Sequence, residues 1–188
     1  MDREPTFEFG RTDAEKRLAE LIIYISEKCS DDPYFGATKL NKILWHSDAF
    51  SFAFYGEPIT GLAYMKLPKG PAPKRLLPVK NKLLDRGEIA EQKPKLGRFT
   101  QHRIIPLREP DLTVLSARDI AVVDRIIEFL ADKNASQVSK MSHLRGWQIA
   151  KTNGDIPYEA IFLSDEGLTE EDISRTQELG AELDWGDE

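Results

Sequence analysis

Apolar residues recur at helical spacing in two stretches near the start of the chain. Leu18, Leu21, Ile22, Ile25 and Cys29 form one stripe behind Thr12 and Glu15, a pair that reads as a capping box, and together they predict a helix over residues 13–29. Ser30, Asp31, Asp32 and Pro33 then break it, because proline lacks a donor and short polar side chains compete for backbone bonds. The second stretch predicts a helix over Ala37–Tyr55, with Leu40, Ile43, Leu44, Ser47 and Phe50 on one side and Trp45, Phe52 and Phe54 widening the apolar arc. An arc that wide belongs to a central helix, and Gly56 is placed to end it.

Farther along, the pattern shortens. Residues 58–73 are dense in turn formers around a run at 62–67 that suits a strand, and its expected partner is 98–107, where Phe99, Ile104, Ile105 and Leu107 punctuate polar residues. Between them a helix is predicted over 73–85, stopped by Gly87, with Pro78 as a candidate kink. Ser116 and Asp119 open a clear amphipathic helix carrying Ile120, Val123, Ile127 and Leu130 up to Asn134. Residues 135–151 read as a short helical turn and a second short helix holding Trp147. Thr169 and Asp172 cap a last helix ending near Gly180, with a disordered tail over 181–188.

The fold class expected from these elements is mainly α (α+β), a single domain of about six helices with a small antiparallel ribbon. Its 188 residues, 40% hydrophobic and 31% charged, fit one soluble globular domain. No stretch is long and apolar enough for a membrane span, and the single cysteine, Cys29, cannot form an internal disulfide, so the cytoplasm is the expected compartment.

Charge is unevenly distributed. Residues 64–108 carry 12 Lys and Arg against 3 Asp and Glu, while the segment from Leu163 onward holds ten acids and Arg175 as its one base, within a chain of net charge −6. Internal pairing of the two kinds of region, two oppositely charged binding faces, and simple solvation all account for this.

Candidate chemistry is sparse. His46, His102 and His143 are the three histidines, and no His-Glu-x-x-His, Cys-x-x-Cys, phosphate-binding glycine loop or Gly-x-Ser-x-Gly elbow occurs. His46 and Asp48 are two apart on a helix and point in different directions, and Cys29 ends an apolar stripe, where it reads as core filler. No metal, no cofactor and no catalytic residue is therefore assigned, and the chain is not read as an enzyme. The basic stretch from Lys66 to Arg103 invites nucleic-acid binding, but only Tyr64 and Phe99 interleave it with rings; a basic face for an acidic protein explains it equally well.

Three motifs in order then carry a resemblance. KLNKILWHSD, from Lys39 to Asp48, resembles a Lys-Leu-x-Lys-Leu-Leu-Tyr-Phe-x-Asp pattern, with Trp45 and His46 in place of the usual Tyr and Phe. YGEPITG, from Tyr55 to Gly61, is followed by Tyr64 and by Gly70, Pro71 and Pro73; Ser142, His143, Trp147 and Ala150 lead to GDIPYE at residues 154–159. Together they resemble the Panacea domain of SocA-like antitoxins over residues 39–159. The resemblance implies a Panacea-like helical domain at 1–162, with the acidic helix and tail at 163–188 appended. It also implies an antitoxin of a phage-associated kind that binds and neutralises a cognate toxin protein encoded by the adjacent gene. Tyr64, Lys69, Pro71, Lys74, Arg75, Lys80, His143, Trp147 and Tyr158 are the expected partner-binding residues, although packing is the favoured reading of Trp147 and Tyr158. The acidic end and the basic stretch are rival docking faces. Own operator DNA and a homodimer stay open as further partners, and an enzyme or small-ligand binder with a pocket near Tyr64, Gly70, His46 and His143 is the alternative.

Overall fold

In the computed structural model, which describes residues 4–96 and 99–163 and only the backbone at 96 and 99, a 19-residue helix, α2 (Ala37–Tyr55), is covered on nearly every side. One face joins the larger apolar core through Leu40, Ile43 and Leu44; the other places Trp45 and Ala49 in a second, aromatic core with Tyr64, Ile156 and Tyr158. This two-sided burial is why the apolar arc of the helix is so wide. Gly56 closes it in the left-handed region, φ 76°, its N–H donating to the Phe52 carbonyl.

α1 (Ala14–Lys28) and α4 (Ala117–Leu130) pack on the larger core. Lys39 on α2 donates to the carbonyls of Ala131 and Lys133, while Arg118 lies 4.7 Å from the Tyr55 ring, so α2 and α4 run antiparallel along their length. Arg17 ties α1 to the start of α4 through Asp119, 3.1 Å away. The remaining helices are α3 (Leu76–Asp85), α5 (Ala135–Met141) and α6 (Arg145–Ile149).

Three small antiparallel sheets complete a mainly helical α+β fold. In the first, β1 (Tyr64–Leu67) is flanked by β2 (Gly70–Pro73) and β7 (Asp155–Ile156). β3 (Ile89–Gln92) pairs with β6 (Arg103–Pro106), and β4 (Lys95–Leu96) with β5 (Phe99–Thr100).

These pairings correct the expected ribbon. The strand at Tyr64–Leu67 forms, but it pairs with β2 and β7, and β6 takes β3 instead. Pro71 and Pro73 argue against a strand at Gly70–Pro73; on an edge, however, a missing N–H costs no ladder bond. Three helix details differ as well. α3 starts at Leu76, not Pro73, so Pro78 falls in its first turn, where it breaks no bond. The Thr12–Glu15 capping box does not form, because the Glu15 carboxylate is taken by Arg75 and Lys82. Phe54, expected on the buried arc, is exposed. By contrast, Ser116 and Asp119 cap α4 reciprocally, as Asn134 and Gln137 do for α5. The expected helix at 169–180 and tail at 181–188 lie outside the described residues.

Candidate partner-binding surface

Three charged residues of the KLNKILWHSD run are buried, and each is fastened to a different element. Lys39 holds Asp32 at 2.6 Å besides the two carbonyls beyond α4. Lys42 donates to the Pro71 carbonyl of β2 at 2.7 Å. Asp48 accepts from the Thr60 N–H at 2.7 Å, from the Thr60 hydroxyl, and from the Tyr64 hydroxyl at 2.9 Å. Burial raises the Asp48 pKa against these hydrogen bonds, which favour the carboxylate, and it pushes the Lys42 ammonium down to about 7. Buried charges of this kind persist only when tied down, so Lys39, Lys42 and Asp48 stitch the fold together and are not offered to a partner.

What the stitching presents is a ledge formed by the β1–β2 hairpin, α5 and α6. His143 stacks flat on Trp147, centroids 3.7 Å apart and planes 4° off parallel, and Lys66 holds its ammonium 4.4 Å from the Trp147 ring centroid. The Trp147 indole N–H donates to the Leu67 carbonyl at 3.1 Å, and the Ser139 hydroxyl donates to the Lys69 carbonyl at 3.0 Å, so hairpin and helices are locked together. Burial, Lys42 and Lys66 lower the His143 pKa. Lys69, Lys140, Arg145 and Lys151 stand exposed around this pair, giving the ledge an aromatic centre and a cationic rim.

Elsewhere the basic stretch is paired internally. Lys74 meets Asp155 at 2.5 Å, Arg75 and Lys82 share Glu15, Lys80 meets Glu91 at 3.0 Å, and Arg108 bridges Glu20 and Glu88. Lys80, burial and Lys93 set the Glu91 carboxyl at about 2, the two lysines overcoming the desolvation. Among the described residues Lys69 has no acid within ion-pair distance.

The nine residues expected at the partner site thus divide. Lys69, His143 and Trp147 share the ledge. Lys74, Arg75 and Lys80 are held in ion pairs with Asp155, Glu15 and Glu91. Tyr64, Pro71 and Tyr158 are buried, Tyr64 on Asp48 and Tyr158 donating to the Leu62 carbonyl at 2.8 Å, so they frame the surface without belonging to it. Lys66 opens the basic stretch without a place among the nine, and Ser139 went unrecognised, since it does not stand out in sequence. Of the four residues suggested for a ligand pocket, His46 lines a groove between α2 and α4 whose lining includes none of Tyr64, Gly70 and His143. Cys29 is buried, its thiol pushed up to about 11 by desolvation, as core filler should be. Among the described residues no cluster of three or more His, Cys, Asp and Glu could hold a metal ion, and no helix is long and apolar enough to cross a membrane.

A model of a known family, described as antitoxin SocA-like, Panacea domain, matches residues 40–148. No curated protein and no solved structure matches the chain.

Proposed function

The chain belongs to the Panacea domain family of SocA-like antitoxins, and on that premise we propose that it neutralises a toxin by direct protein–protein contact. The observation that carries this reading is the family match over residues 40–148, which runs from α2 through the hairpin to Trp147. The contact surface in this reading is the ledge of Lys66, Lys69, His143 and Trp147. A tryptophan such as Trp147 is among the residue types that dominate interface energies, and the cationic rim suits a toxin face rich in carboxylates.

Pairing of Lys74, Arg75, Lys80 and Lys82 with carboxylates of the same chain weighs against a phosphate-binding role for the basic stretch, and hence against operator DNA. Toxin and antitoxin meet in the cytoplasm, and the adjacent reading frame supplies the toxin. Expression of that reading frame alone and together with this chain tests the proposal: arrest of growth alone, relief on coexpression and copurification of the two proteins are expected. A neighbour that is harmless alone, or relief without a complex, overturns it.

A further inference from the structure

The antiparallel packing of α2 and α4 leaves a groove of about 410 Å³ whose floor is made of Ala49 and Ala53 and whose walls are Phe50, Phe54 and Phe129. Its apolar surface stands open: Phe54 is 68% and Phe129 54% exposed. Large exposed aromatics gathered in one concavity mark a surface that something covers.

We propose that the occupant is the chain's own segment 164–188. The first support is where the chain runs. Ile161 already lines the groove, Phe162 lies 5.8 Å from the Phe52 ring and Leu163 is exposed, so residue 164 follows only three positions after the lining. The second is reach. From His46 to Phe54 the groove follows two turns of helix, about 12 Å, and an extended chain covers that in roughly four residues. Leu168 and Ile173, apolar residues in an otherwise acidic run, are therefore within range.

Charge agrees. Arg125 supplies the one formal charge on the groove lining, and Arg118 stands over Tyr55 at the end of α2. The segment brings ten acids against Arg175. His46, which lines the groove, also has a buried Nε2 with no hydrogen-bond partner among the described residues, leaving a polar contact for the occupant to make. A tethered segment meets the groove at an effective concentration of order millimolar, so it outcompetes a second copy of the chain at ordinary protein concentrations. The inference is independent of the antitoxin reading.

The test uses the full chain with Ser174→Cys carrying a nitroxide; Cys29 is buried, which directs the label to position 174. Loss of the amide signals of Ala53 and Phe129, with those of Lys80 retained, is expected. Adding Leu168→Arg and Ile173→Arg should restore the lost signals. Retained groove signals in the labelled chain, or loss that persists in the double-arginine variant, would overturn the proposal. So would loss of groove signals in an isotope-labelled chain carrying no nitroxide when it is mixed with nitroxide-labelled chain, because a second copy would then be the occupant.

Discussion

Lys42 places its ammonium 2.7 Å from the Pro71 carbonyl, inside the protein, with no carboxylate in ion-pair contact among the described residues. A helix in the middle of the fold thereby holds the edge strand of the hairpin that builds the ledge. Desolvation without a counter-charge lowers its pKa from 10.5 to about 7.

The sign of the resulting pH dependence follows. Between pH 7 and 10.5 the unfolded chain holds the Lys42 proton and the folded chain does not, so stability rises with pH by up to about 1.4 kcal/mol per unit from this group. Below pH 7 both states are protonated and the contribution is flat. Lys42→Met should lack the rise, and the difference between wild-type and variant urea unfolding energies from pH 6 to 10 isolates it. Parallel curves would show that Lys42 stays charged throughout.

His46 predicts a dependence on the acid side. Burial and the neighbouring Lys42 push its pKa from 6.5 to about 4, so between those values the unfolded state alone binds a proton and stability is lost as pH falls. His46→Phe, which installs the ring usual at this motif position, should abolish that loss. Relative to wild type it should gain about 2 kcal/mol at pH 5 compared with pH 7, read as a shift in melting temperature at the two pH values.

Asp48 accepts three hydrogen bonds from Thr60 and Tyr64. Asp48→Ala strands three buried donors and should cost at least about 3 kcal/mol, whereas Tyr64→Phe removes one donor and should cost about 1 kcal/mol. The double variant should be less destabilised than the two costs added, since the Tyr64 bond is already lost once Asp48 is gone. Strict additivity in denaturant melts would mean that the hydroxyl and the carboxylate act separately.

The helical frame was legible because it rests on local pattern: the wide arc of α2 announced burial on two sides, and Ser116 with Asp119 announced the start of α4. Pairing of strands was not, because β1 meets β7 across some ninety residues and the Pro-rich β2 is a strand only by virtue of its edge position. The site was half legible. Trp147 and His143 stood out as motif residues, but nothing in the pattern told that Lys39, Lys42 and Asp48 point inward or that Lys66 would reach the Trp147 ring. Partners for those groups come from elements far along the chain, and spacing alone does not reveal them. Likewise Glu15 was lost to the capping box because its two cations sit on and before α3.

Gly70 sits at φ 100°, and a Cβ there would lie 2.6 Å from the Lys42 ammonium and closer still to the Ser142 hydroxyl. Gly56 is also left-handed but faces open space. Gly56→Ala should therefore cost the backbone strain alone, about 1 kcal/mol, while Gly70→Ala adds overpacking for a total of about 2–4 kcal/mol. Equal losses in thermal melts would show that the hairpin shifts to make room.

The charges on and around the ledge can be told apart by what already neutralises them. Reversing Lys80 alone sets two acids side by side, since Glu91 is 3.0 Å away, so weakened toxin binding by Lys80→Glu would not separate a lost contact from a disturbed fold. The exchanged pair Lys80→Glu with Glu91→Lys restores internal neutrality and should bind the toxin normally. Lys69 has no such internal acid among the described residues, and Trp147 supplies the ring that packs under Lys66. Lys69→Glu and Trp147→Ala should then each weaken the complex, the tryptophan change by about 2 kcal/mol or roughly thirtyfold in Kd. Melting temperatures of the free variants show whether either change acts through the fold. Binding unaffected by both substitutions, with loss in the exchanged pair, would move the contact surface away from the ledge and onto the strand β3 side of the basic stretch.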